Sequence, residues 1–161
     1  MQVPPSPTAV QQDESVDLWL VVPTAGLRRA WLESILRRSG VPESKRVVVR
    51  DRATEHVSGA INIIRDSDLN ISLWWNLGIN YALHQGGRYV AILSDDVELQ
   101  VGQLGAMLSE IVDKGPAILA SRNSNGGNWG HAFVLDLESE VRPDNRFRWY
   151  WGDFDLRKQA E

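Results

Sequence analysis

Short, unbroken apolar runs take turns with longer stretches of helical spacing along this chain. Leu18 to Val22 is an apolar run that stops at Pro23 and reads as a buried strand. From Leu27 to Arg38 the apolar residues fall at Leu27, Trp31, Leu32, Ile35 and Leu36, which is helical spacing. Ser39-Gly40-Val41-Pro42 closes that helix, with Gly just past the end and Pro beyond. Arg46 to Val49 is β-branched and predicts a second strand, and Ile61 to Ile64 a third. A turn-rich break at Asp68-Leu69-Asn70 leads into a second helix, Ser72 to His84, with Leu73, Leu77 and Tyr81 on one side and Trp74, Ile79 and Ala82 around it. Tyr89 to Leu93 is the fourth strand. Val101 to Val112 is a third helix with the stripe Leu104, Met107, Leu108 and Ile111. Ala117 to Ala120 and Ala132 to Leu137 complete the strands, on either side of an Asn/Gly-rich loop from Ser121 to Gly130.

Alternating strand and helix predict an α/β fold with a mostly parallel central sheet and helices on both faces. The late loop and the strand after it break the simple alternation. Neither an internal repeat nor a second core is visible. The expected organisation is a leader over residues 1–16, rich in Pro and polar residues, followed by one domain over 17–161.

Composition narrows the function. With 161 residues and 43% hydrophobic content, the chain can bury a core. There are 17 basic and 21 acidic residues, a formal net charge of -4, and no nucleic-acid footprint. Cysteine is absent, which removes disulfides, thiolate nucleophiles and cysteine-ligated zinc. No apolar run approaches a membrane span, and no signal-peptide pattern opens the chain, so the expected location is the cytoplasm.

The candidate chemistry sits where strands end, which is where open α/β sheets bind ligands. Tyr89 to Leu93 runs into Ser94-Asp95-Asp96. Two carboxylates there can hold a magnesium or manganese ion, which in turn holds a diphosphate. The bland alternative is that one of them caps the next helix. Pro23-Thr24-Ala25-Gly26 joins the first strand to a helix N-terminus, which favours anions; an ordinary tight turn is the competing reading. Asp51 ends the second strand and can accept hydrogen bonds from a base or ribose, or be a plain loop acid. Trp149-Tyr150-Trp151 offers flat faces for a sugar or for packing. Asp153 and Asp155 form a second acidic cluster, beside aromatic residues that can raise a carboxyl's pKa toward general-base use; a solvated tail is the competing reading. His131 follows the Asn/Gly loop.

Taken in order, these segments resemble the family 2 glycosyltransferases of the GT-A fold, a Rossmann-like architecture. The resemblance runs from about Leu18 to Leu156. It rests on the strand into Pro23-Thr24, on Val47-Val48-Val49-Arg50-Asp51 and on Asn76-Leu77-Gly78-Ile79-Asn80-Tyr81-Ala82. Leu93-Ser94-Asp95-Asp96 and Gly152-Asp153-Phe154-Asp155-Leu156 complete it. It implies a nucleotide-diphosphate sugar donor (UDP-linked), a glycan or other hydroxyl acceptor, Mn2+ or Mg2+, and inversion at the anomeric carbon. Asp153 would be the catalytic base. Asp96 would be the main metal ligand, helped by Asp95. Pro23, Thr24, Arg28, Asp51, Asn76, Ser94 and Asp95 would bind the nucleotide sugar, with Arg29 an alternative to Arg28 at the diphosphate. Trp149, Trp151 and His131 would face the acceptor. The chain departs from the family at Ser94, Arg50 and Gly152, each standing where an acid is usual. It also ends soon after Leu156, so a homo-oligomer or a partner completing the acceptor site is part of the expectation. Two rivals remain: a non-catalytic nucleotide-sugar or glycan-binding module, and a nucleotidyltransferase. The second ranks lower, for want of a Gly-rich, Arg-containing loop after the first strand.

Overall fold

The computed structural model describes residues 17–66, 70–115, 117–120, 132–146 and 159. Six strands form one sheet: β1 (Leu18–Thr24), β2 (Arg46–Asp51), β3 (Ile61–Arg65), β4 (Tyr89–Leu93), β5 (Ile118–Ala120) and β6 (Ala132–Asp136). Their order is β3-β2-β1-β4-β6-β5. The first four are parallel, and β6 runs antiparallel to both β4 and β5. That reversal is what the broken alternation after residue 120 reflects. Helices α1 (Arg29–Arg38) and α3 (Gln103–Lys114) cover one face, and α2 (Ile71–His84) covers the other.

β1 passes through Pro23, two residues beyond the expected end. Proline lacks the N–H a central strand needs. The β1–β4 pairing ends at Val21 opposite Ile92, so Pro23 has a strand neighbour on the β2 side alone, opposite Val49. Its missing donor is tolerated there.

The helices show where periodicity succeeds and fails. α3 buries Leu104, Met107, Leu108 and Ile111, the expected stripe. α1 begins at Arg29, because Gly26 turns the chain with φ +80 just before it. Leu27 is therefore 89% exposed and Trp31 is exposed too, correcting their place in the apolar stripe; Leu32, Ile35 and Leu36 form the buried face. α2 is apolar nearly all round, so spacing alone does not say which side is buried. Its buried face is Trp74, Trp75, Gly78, Ile79 and Ala82, while Leu73, Leu77 and Tyr81 pack only partly buried at its flank. Asn70 starts this helix by accepting the Leu73 N–H at 3.0 Å.

Candidate functional site

The C-terminal ends of β1, β2 and β4 carry the candidate residues, and the β1–α1 turn divides their surroundings into two hollows. The first, about 220 Å³, is lined by Pro23, Thr24, Arg28, Ser94, Asp95 and Asp96 among others. The second, about 250 Å³, is lined by Asp51, Ala53, Thr54 and Glu55 opposite Gly26 and Arg29. Ala25 and Leu27 belong to both walls. Six positions singled out from separate parts of the sequence thus meet at one cleft, with Asp51 in the hollow beside it.

Thr24 is the last residue of β1 and is 3% exposed. Its hydroxyl donates to Asp95 Oδ2 at 2.6 Å and accepts the Gly26 N–H at 3.0 Å. The two strand ends and the turn are tied together at one oxygen. Arg28 reaches from the N-terminus of α1 to Asp96, Nη1 to Oδ2 at 3.2 Å. These side chains are 54% and 32% exposed, so the pair is worth less than about 1 kcal/mol and is readily exchanged for another partner. α1 has no side-chain cap and no acid in its first turn. An uncapped helix N-terminus next to an arginine is a favourable setting for an anion.

The helix-capping alternative for Asp95 and Asp96 does not hold. α3 starts at Gln103, and its N-cap is Gly102 in the left-handed region. The two carboxylates therefore serve something other than the helix start. Their chemistry suits a hard divalent cation, which takes one or two carboxylates and completes its shell with phosphate oxygens and water. Among the described residues, no group of three His, Cys, Asp or Glu side chains is arranged to hold a metal by protein atoms alone.

Asp51 is not a plain loop acid. Its Oδ1 accepts from the Thr54 N–H at 2.7 Å and the Thr54 hydroxyl at 3.0 Å, fixing the turn that walls the second hollow. A Cβ on Gly26 would meet Thr54 at 2.9 Å, so the two turns that face this hollow fit closely.

Asn76 faces the 143–145 segment. Its amide donates to Pro143 O at 2.6 Å and to Asn145 Oδ1 at 2.8 Å, and Asn70 donates to Asn145 O at 2.9 Å. α2 thereby anchors the 143–145 segment, which leads toward the candidate base in sequence. Just beyond that segment, the Arg146 side chain, and then its backbone N–H, hold the Asp144 carboxyl below the usual carboxylate range. The stability this gives is present above the unfolded carboxylate's pKa and is lost as pH falls through the lowered folded value. Asp153, Trp149, Trp151 and His131 lie outside the described residues, as do residues 1–16, the expected leader.

Residues that the sequence pattern did not point to also line the cleft. Ile71 and Trp74, from the first turn of α2, form part of its wall. Only the packing of α2 on the sheet identifies them; an apolar residue in an apolar helix carries no separate signal.

No protein-family model matches the chain, and no curated protein matches it in sequence. Solved structures do match it in shape. Residues 1–349 of TarS from S. aureus superpose with a TM-score of 0.64 at 10% identity, covering 89% of this chain and 55% of that one. A mannosyltransferase from Pyrobaculum calidifontis, in complex with GDP-Man and Mn2+, gives 0.57 at 14% identity, covering 76% and 45%. A cytidylyltransferase from Leptospira borgpetersenii gives 0.58 at 11% identity, covering 88% and 71%. The chain spans about half the length of the TarS fragment. At these identities the likeness defines the fold: a GT-A, Rossmann-like α/β architecture with a six-stranded, mostly parallel sheet. Among the described residues no helix is long and apolar enough to cross a membrane.

Proposed function

We propose that this chain is a glycosyltransferase that moves a sugar from a nucleotide-diphosphate donor, UDP-linked, to an acceptor hydroxyl with inversion. The observation that carries the reading is the meeting of Thr24, Arg28, Asp95 and Asp96 at one cleft, beside the hollow that holds Asp51. The nucleoside occupies the second hollow against Asp51, and the diphosphate bridges the β1–α1 turn. Arg28 leaves its weak pair with Asp96 for a phosphate oxygen, adding to the uncapped α1 N-terminus. A manganese or magnesium ion held by Asp96, with Asp95, would neutralise charge on the departing diphosphate. Thr24 keeps Asp95 oriented, and Ser94 lines the same wall. Asp153 takes the proton from the acceptor hydroxyl, which attacks the anomeric carbon as the sugar–phosphate bond breaks. Trp149, Trp151 and His131 contact the acceptor, and Asn76 fixes the segment that precedes the two tryptophans.

One observation favours a second reading. The β1–α1 turn does contain a glycine in the left-handed region and an arginine aimed at the acidic pair, Gly26 and Arg28. That is closer to a nucleotidyltransferase loop than the sequence alone implied, and the cytidylyltransferase shares the fold. Product analysis separates the readings. Sugar transferred or hydrolysed from a nucleotide-diphosphate sugar supports the first. Pyrophosphate released from a nucleoside triphosphate and a sugar phosphate supports the second. Binding with neither product makes the chain a non-catalytic module. In the transfer assay Asp153→Asn is expected to lower the rate about a hundredfold or more, the usual loss of a general base. A wild-type rate in that variant would remove Asp153 from the mechanism.

A further inference from the structure

Arg50 is the one charged side chain that is buried among the described residues, at 7% exposure. Its Nε donates to Asn62 Oδ1 at 2.9 Å, and its Nη1 donates to Asp51 O at 3.2 Å and Thr54 O at 2.6 Å. All three acceptors are neutral. A buried cation satisfied in this way is costly to fold, and an apolar residue of similar size is often as stable or more so. The strand end alone therefore gives no reason for an arginine here.

What Arg50 fixes is the wall of the second hollow. One Nη1 holds the carbonyls at both ends of the 51–54 turn, while Asp51 Oδ1 holds the Thr54 N–H and hydroxyl inside it. Asn62 extends the clamp. Its Oδ1 also accepts the Val57 N–H at 2.9 Å, and its Nδ2 donates to Val57 O at 2.8 Å and Ala60 O at 2.9 Å. Arg50 is also the β2 register partner of Thr24, the residue that holds Asp95. The last paired position of β1 with β2 thus serves both hollows.

We infer that Arg50 is a positioning residue that presets the 51–55 wall for the nucleoside; this rests on the nucleotide-sugar reading above. A lysine keeps the charge but lacks the planar fork that reaches several acceptors at once. The test compares wild type, Arg50→Met and Arg50→Lys by amide hydrogen exchange and by titration with UDP, GDP and CDP, each with manganese. In both variants the Thr54 and Val57 amides should exchange at least about tenfold faster, with Val47 to Val49 still protected. Affinity for the nucleoside diphosphate that wild type binds should fall about tenfold, the equivalent of about 1.4 kcal/mol. Unchanged exchange at Thr54 and Val57, or unchanged affinity despite a loosened turn, overturns the inference. So does full rescue by lysine, or a uniform loss of protection across the sheet, which would make Arg50 merely structural. If wild type binds none of the three while Arg50→Met still loosens the turn, it is the nucleotide reading that has failed, and the assignment of Arg50 to a nucleoside falls with it.

Discussion

Asp96→Ala is expected to weaken manganese-supported binding of UDP by about a hundredfold, the equivalent of about 2.7 kcal/mol. Asp95 already shares one oxygen with the Thr24 hydroxyl at 2.6 Å, so Asp96 is the carboxylate better placed to give its charge to a cation. Its pairing with Arg28 is long and solvent-screened, and gives way cheaply. The same substitution has the opposite logic without metal. A bare Asp96 repels a diphosphate and occupies Arg28, so in a chelator Asp96→Ala should bind UDP no more weakly than wild type. Calorimetric titration with and without manganese reads both effects. Equal weakening in the two conditions would mean that Asp96 contacts the nucleotide in some other way and holds no metal.

Gly78→Ala is expected to lower stability by about 2 kcal/mol, and the melting temperature by roughly 4–8 °C. Two effects oppose each other. Alanine gains about 1 kcal/mol over glycine within a helix. Against this, a Cβ at Gly78 would lie 2.3 Å from Val21 Cγ1 and 2.9 Å from its Cγ2. Val21 is fully buried in the middle of β1 and, being β-branched, has little rotamer freedom to yield. Overpacking a rigid site costs about 3 kcal/mol at the upper end of the usual range, so the clash wins. Gly105→Ala in α3 is the matched control. Among the described residues nothing beyond its own helix backbone lies within 4 Å of its added Cβ, so the propensity gain should stand alone and leave the protein as stable or slightly more so. Thermal melts that rise for Gly78→Ala would show that α2 does not pack on β1 at this distance.

Gly78 separates what the sequence pattern carries from what packing adds. The Asn-x-Gly-Ile segment was visible as a pattern, but its reason is close approach of helix to strand, which no periodicity contains. The central strands were legible because Leu18 to Val22, Val47 to Val49 and Tyr89 to Leu93 are apolar throughout, as strands buried on both faces must be. The α3 stripe was legible because polar residues flank it. The buried side of α2 is not legible, because Leu73, Leu77 and Tyr81 are as apolar as the face that is buried.

The candidate site was legible as separate pieces and not as a constellation. Asp95 and Asp96 are conspicuous after an apolar run, yet the helix-cap alternative falls only because α3 begins at Gln103. That Thr24 touches Asp95 across 71 positions is a property of strand order, since β4 lies beside β1. Arg50 stood out in the sequence as a departure from a family pattern. Its burial and its clamp on Asp51 and Thr54 depend on side chains converging from β2, β3 and the turn between them, which spacing does not report.

The central claim is that the ends of β1, β2 and β4 form a site for a nucleoside diphosphate together with a divalent cation. Its most direct test is titration of the wild-type chain with UDP, GDP and CDP, each with manganese and each again in chelator. The account predicts saturable one-site binding of UDP that requires the metal. No binding of any of the three with manganese present would contradict it.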